Sequence, residues 1–204
     1  LATLTANNFV FSPTYPISLY LTPDDLSHLS SLNGALYQSA GITTVVAGSN
    51  PVTVVQALAI YNDGFTFATP KVLSDTSISY ANYQTLMRDD AATPSLNATL
   101  AAGTRLTDAS LSVGVLKSLV ASSTLDLTHV KVSDAVISVG DASALLSYVD
   151  LSGTNVSGTM TASMAKQLVS QVKGFDSSAT IIGSTISLSD AIALNGHIAL
   201  GSVT

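Results

Sequence analysis

Polar and apolar positions along the chain repeat one figure. A Ser or Thr follows an apolar residue, a second apolar residue stands four positions later, and an aliphatic closes the figure at the seventh. In "PVTVVQALAI", Val52 precedes Thr53, and Ala57 and Ile60 follow it. The hydroxyl falls at Thr22, Thr53, Ser79, Ser112, Ser138, Thr161 and Ser187, and the closing aliphatic at Leu29, Ile60, Leu86, Leu119, Leu145, Leu168 and Leu194. A hydroxyl ahead of a helical stretch is an N-cap that accepts from free amides of the first turn. The apolar residue before the cap packs on the fourth position as a staple, which shares a helix face with the seventh. The figure therefore predicts seven short helices of about two to three turns.

Aliphatic-rich stretches with alternating or continuous apolar character lie between the helices: "ITTVVAGS", "FTFATPKVLS", "SLNATLAAGTRLT", "TLDLTHVKVS", "NVSGTM", "ATIIGSTIS" and "HIALGSVT". These predict strands, one or two for each helix. The tripeptides Leu73-Ser74-Asp75, Leu106-Thr107-Asp108, Val132-Ser133-Asp134 and Leu188-Ser189-Asp190 predict turns closed by side-chain to backbone hydrogen bonds, with the Asp in a structural role.

Such spacing is that of stacked repeats, in which each helix–strand segment exposes an apolar face that only its neighbours cover. The fold class expected is α/β, a solenoid-like stack of short capped helices and short strands. The alternative is a compact α/β sandwich with the helices on one side of a sheet. Residues 1–20, uncharged and carrying prolines, read as an N-terminal extended arm or edge strand, and residues 21–204 as a repeat domain of about seven segments. The apolar arm and the final strand-like stretch are not the polar ends of a closed stack. They predict end-to-end joining of copies, the arm of one completing the sheet of the next, or excision from a longer repeat array.

Composition sharpens this picture. Apolar residues make up 47% of the 204 and charged residues only 10%, so Ser, Thr, Asn and Gly must cover much of the surface. All 13 acidic residues are aspartate, which favours caps and turns, and which can also supply hard oxygen ligands to calcium. A net charge of −6, with 7 scattered Lys and Arg, argues against nucleic acid and anionic membranes as partners. Without cysteine there are no disulfides and no thiolate chemistry. No apolar run reaches transmembrane length, so no membrane insertion is expected and the chain reads as soluble. Nor does the stretch from Leu1 carry a basic region followed by an apolar one, as a secretion signal would.

Candidate chemistry is sparse. His28 stands four residues after Asp24, so the two can meet on one helix face, though a solvated pair is the simpler reading. His129 and His197 fall in predicted strands. Neither a zinc-type His spacing nor a nucleophile elbow occurs, and no phosphate-binding glycine loop is present. Asp63, Asp89, Asp90 and Asp150 are the loop carboxylates from which a calcium or glycan site could be built. Asn97-Ala-Thr and Asn155-Val-Ser are glycosylation sequons.

The segments "VTVVQALAIYNDG", "VSDAVISVGDASALL" and "ISLSDAIAL" resemble the degenerate repeats of very large secreted bacterial surface proteins of the adhesin and S-layer type. The likeness runs over most of residues 21–194. It implies secretion, an extracellular or cell-surface place, and a structural or adhesive role. The calcium-binding glycine-rich nonapeptide of many such proteins is absent, and no binding residue is carried over. The expectation is a non-enzymatic repeat protein that self-assembles into a filament, sheath or surface layer, or forms an adhesin stalk. Its partners would be copies of itself through apolar termini, and cell-surface glycans. No cofactor is expected, calcium apart. The alternative is a calcium- or glycan-binding surface module.

Overall fold

The computed structural model describes residues 17–29, 34–87, 95–183 and 185–200. Asp89 and Asp90, most of the predicted arm and residues 201–204 lie outside them. The chain divides into two compact units, Leu1–Thr104 and Arg105–Thr204.

The first unit runs β1 (Ser18–Tyr20), α1 (Pro23–Ser27), α2 (Gly34–Ser39), β2 (Thr44–Val46), α3 (Val54–Asn62), β3 (Thr66–Phe67), β4 (Lys71–Val72), β5 (Ser77–Ile78), α4 (Tyr80–Leu86) and β6 (Ala98–Thr99). In the second come β7 (Arg105–Leu106), β8 (Ser110–Leu111), α5 (Val113–Ser122), β9 (Lys131–Val132), β10 (Val136–Ser138), α6 (Val139–Leu145), β11 (Asn155–Ser157), β12 (Thr159–Thr161), α7 (Ala162–Leu168), β13 (Gly174–Phe175), β14 (Thr180–Ile182) and α8 (Leu188–Leu194). This is a mixed α/β fold with eight helices among the described residues and short strands in small, open sheets.

All seven predicted hydroxyls are N-caps, each in extended backbone. Thr22 and Thr53 form reciprocal capping boxes with Asp25 and Gln56. The closing aliphatic is buried in every copy, from Leu29 to Leu194. Of the staple residues, Leu21, Val52, Ile78, Ile137 and Met160 are buried, while Leu111 and Ile186 are half-buried. Removing these side chains from water is the main driving force for each segment.

Strand pairing within each unit is parallel. In the first unit Ser18 stands beside Thr44, Thr44 beside Thr66, and Lys71 beside Ala98. In the second, Ser110 stands beside Lys131, Val136 beside Asn155, Asn155 beside Gly174, and Thr159 beside Thr180. Parallel neighbours need a crossover, and a capped helix supplies it. Ser138 ends β10 and caps α6, and the chain then returns as β11 on the edge of β10.

Four expectations are corrected. The stretch 197–200 holds turn and irregular backbone, because the N–H groups of His197 and Ile198 bond back to Leu194 at the end of α8 instead of to a strand. His129 and His197 accordingly sit in turns, not strands. Leu188-Ser189-Asp190 is no turn but the first turn of α8, since Ser187 caps one residue earlier and places Asp190 at the third helical position. Helix α2 was not foreseen. It begins at Gly34 without the hydroxyl figure, and its close approach to the end of α3 explains the glycine: a Cβ on Gly34 would stand 2.6 Å from the Asp63 carbonyl oxygen.

Candidate functional site

The aspartates of the Ser-Asp turns do more than bend the chain. Val54, the first residue of α3, donates its N–H to Asp75 Oδ2 at 2.5 Å, 21 residues along the sequence. Val113 donates to Asp134 Oδ2 at 2.6 Å, again 21 residues on. Each carboxylate thus closes a free amide of the preceding segment's helix, a bond between segments rather than within one. At α5 this substitution is complete, because Ser112 makes no side-chain cap bond of its own.

A second set of links joins successive helices. Lys117 of α5 reaches Asp141 of α6 at 2.6 Å, and Lys166 of α7 reaches Asp190 of α8 at 2.8 Å, both 24 residues apart. In the first unit the Gln56 amide donates to the Leu26 carbonyl at 2.8 Å. In each ionic link the lysine is the fifth helical residue and the aspartate the third of the next helix. The fifth helical position is therefore the one from which α5 and α7 reach the following helix.

The turn carboxylates follow a third pattern. Asp126, Asp150 and Asp176 each accept the N–H of the residue two positions on, at 3.0, 2.8 and 2.7 Å. Hydrogen bonds hold six carboxyls below their ordinary value. Lys117 and then Ser138 do so for Asp141, Lys166 and then Ser187 for Asp190, Ser152 for Asp150, Thr22 for Asp25, Thr128 for Asp126 and Ser178 for Asp176. A depressed carboxyl stabilises the fold above its unfolded value of 3.8, and that contribution is lost as pH falls through the folded value. Melting temperatures should therefore be steady between about pH 7 and pH 5 and fall below about pH 4. In the variant D141N/D190N part of that acid-side drop should disappear. An unchanged slope would refute the role of these two links.

Of the candidate ligand carboxylates, Asp63 and Asp150 fall among the described residues, and each is engaged within its own surroundings. Asp63 is the C-cap of α3, and its carbonyl accepts from the Gln38 amide at 2.7 Å. Asp150 is held by Ser152, with Lys131 at 4.0 Å. Among the described residues no group of three or more His, Cys, Asp or Glu side chains could hold a metal ion. His28 ends α1, exposed, with Nδ1 3.5 Å from Asp24 Oδ1 and 3.0 Å from the Asp24 carbonyl. His129 bonds the Leu106 carbonyl through Nε2 and lies 3.1 Å from Arg105 Nε through Nδ1. Asn97 adopts φ 59° and donates its side-chain nitrogen to the Phe67 carbonyl at 3.0 Å, whereas Asn155 lies within β11, half-buried.

Exposed large apolar side chains are spread over the described residues, Val55, Val72, Val136 and Tyr148 among them, and include some in the first and last described segments. On β1 and just before it, Tyr20 is 60% and Ile17 41% exposed. In the last segment Ile182 of β14 is 54% exposed, and on α8 Leu188 reaches 77% and Ile192 68%. No protein-family model, curated protein or solved structure matches this chain. Its surfaces are therefore read from their own chemistry. Leu188 and Ile192 escape the sequence figure, which marks only the positions that face inward; their first-and-fifth spacing was the available signal. Among the described residues no helix is long and apolar enough to cross a membrane.

Proposed function

We propose that this chain is a secreted, non-enzymatic structural or adhesive protein, whose segments stack as an α/β solenoid and whose ends join copies into a filament, sheath or surface layer. One observation carries the reading. The first and last described segments in the sequence, β1 in one unit and β14 with α8 in the other, leave Tyr20, Ile182, Leu188 and Ile192 exposed, as Val55 and Val72 are in segments between them. Each of these strands has a partner on one side only among the described residues. A one-sided strand edge with apolar neighbours favours pairing with another chain. The likeness of the Val-Ser-Asp segments to bacterial surface repeats adds the extracellular setting.

Electron microscopy and sedimentation of the purified chain at rising concentration test the proposal. Ordered filaments or sheets are expected. A chain that stays monomeric at every concentration overturns the assembly role.

A further inference from the structure

Independently of assembly, we infer that Asn195 is a modification site, at which the Gly196 amide displaces the side-chain nitrogen and leaves aspartate or isoaspartate behind. The reaction needs an asparagine side chain followed by a main-chain N–H, both unbound and open to water. The five other asparagines among the described residues each fail one of these conditions. Asn50 precedes Pro51, whose nitrogen carries no proton, and its side chain donates to the Leu21 carbonyl at 3.2 Å. After Asn62 and Asn82 the next N–H is already used in helix bonds, that of Asp63 to Ala59 and that of Tyr83 to Ser79. The Asn97 side chain is bound to the Phe67 carbonyl, and Asn155 is half-buried in β11 ahead of the fully buried Val156.

Asn195 meets them all. It is exposed just after α8, with φ −60° and ψ 128°, and Gly196 follows at φ 80°. With the His197 N–H bound to the Leu194 carbonyl at 3.0 Å, these angles are those of a type II turn. Among the described residues no hydrogen bond holds the Asn195 side chain or the Gly196 N–H. The positions equivalent to Gly196 after α6 and α7 are Ser147 and Ser170, exposed although further segments follow them, so an open exit belongs to each of these segments. Ring closure turns the Asn195 ψ away from 128°, and the glycine after it lets the main chain follow. The Gly196 nitrogen then bonds to Cγ of Asn195, the Cγ–Nδ2 bond breaks, and ammonia leaves with the Gly196 proton. Water opens the resulting cyclic imide at either carbonyl, one opening giving aspartate and the other isoaspartate, which carries an additional methylene in the main chain. Both products place a carboxylate at the C-terminal end of α8, where the helix dipole disfavours it, and make the net charge of −6 one unit more negative.

Peptide mass spectrometry of the full-length chain, incubated at mildly alkaline pH and then digested, tests the inference, with enzymatic methylation of isoaspartate as a second readout. Conversion at position 195 should outpace that at each other described asparagine by about tenfold or more, because Gly196 lacks the Cβ that crowds the attacking nitrogen elsewhere. The sequence holds one more Asn-Gly pair, Asn33-Gly34, of which Asn33 lies outside the described residues. Gly34 is buried against the Asp63 carbonyl, so folding should protect that pair. In urea both pairs should convert alike, and in buffer Asn195 alone. N195Q should keep the parent circular dichroism and stay unmodified at position 195. Equal conversion of the two pairs in the folded chain would overturn the inference, as would a folded Asn195 that stays intact while the urea sample converts.

Discussion

Ile60→Ala should lower the unfolding free energy of the first unit by about 2–5 kcal/mol, whereas Val55→Ala, five residues earlier on the same helix, should change it by no more than about 0.5 kcal/mol. Ile60 is 0% exposed at the closing position of the figure, and Val55 is 70% exposed. Truncating Ile60 removes apolar contact and leaves a cavity, because the helix is held on both sides and closes over it poorly. Its first amide is tied to Asp75, its cap to Gln56, and Gln56 in turn to Leu26. Truncating Val55 removes a side chain that water already surrounds. Urea unfolding of both variants, followed by circular dichroism, supplies the comparison. Equal losses would mean that the closing aliphatic does not face the core.

Asp134→Ala should cost about 1–2 kcal/mol, and Ser112→Ala, at the nominal cap of the same helix, less than about 0.5 kcal/mol. The usual ranking is the reverse, since the N-cap hydroxyl normally carries the interaction. At α5 the Ser112 side chain makes no cap bond, and the Val113 N–H finds its acceptor on Asp134. Removing that acceptor leaves a half-buried amide without a partner, and desolvating it is what costs. Asp134→Asn keeps an acceptor oxygen at the same place and should recover most of the loss. At α6 the ordinary ranking should return, with Ser138→Ala costing about 1 kcal/mol, because Ser138 accepts from the Asp141 N–H at 3.1 Å. A Ser112→Ala variant less stable than Asp134→Ala would refute the transfer of the cap between segments.

The parts of the fold written in short-range chemistry were legible. A hydroxyl, a staple and an aliphatic seven positions on are decided within two turns of helix, and the caps from Thr22 to Ser187 stand where that figure places them. Strands of two or three residues were less legible, because β5, β8 and β13 are too short for any alternation to declare itself. Helix α2 lacks the hydroxyl signal and owes its place to packing: a Cβ on Gly34 would meet the Asp63 carbonyl oxygen, and Gly64, just after α3, takes φ 80°, a conformation that favours glycine. At residues 187–190 two local signals overlapped, a cap and a Ser-Asp turn, and the cap prevailed. The aspartates of the Ser-Asp turns were recognised as structural. Their target 21 residues back was not, since no local rule assigns a carboxylate to another segment's helix.

That backward reach sets an order in time. A chain emerging from a ribosome or from a secretion channel with its N-terminus first presents α3 before Asp75 exists to bind it, and α5 before Asp134. Each of these helices stays one acceptor short until about 21 further residues have followed. At these two helices completion lags emergence by one segment, so each is least secure just after it has been exposed.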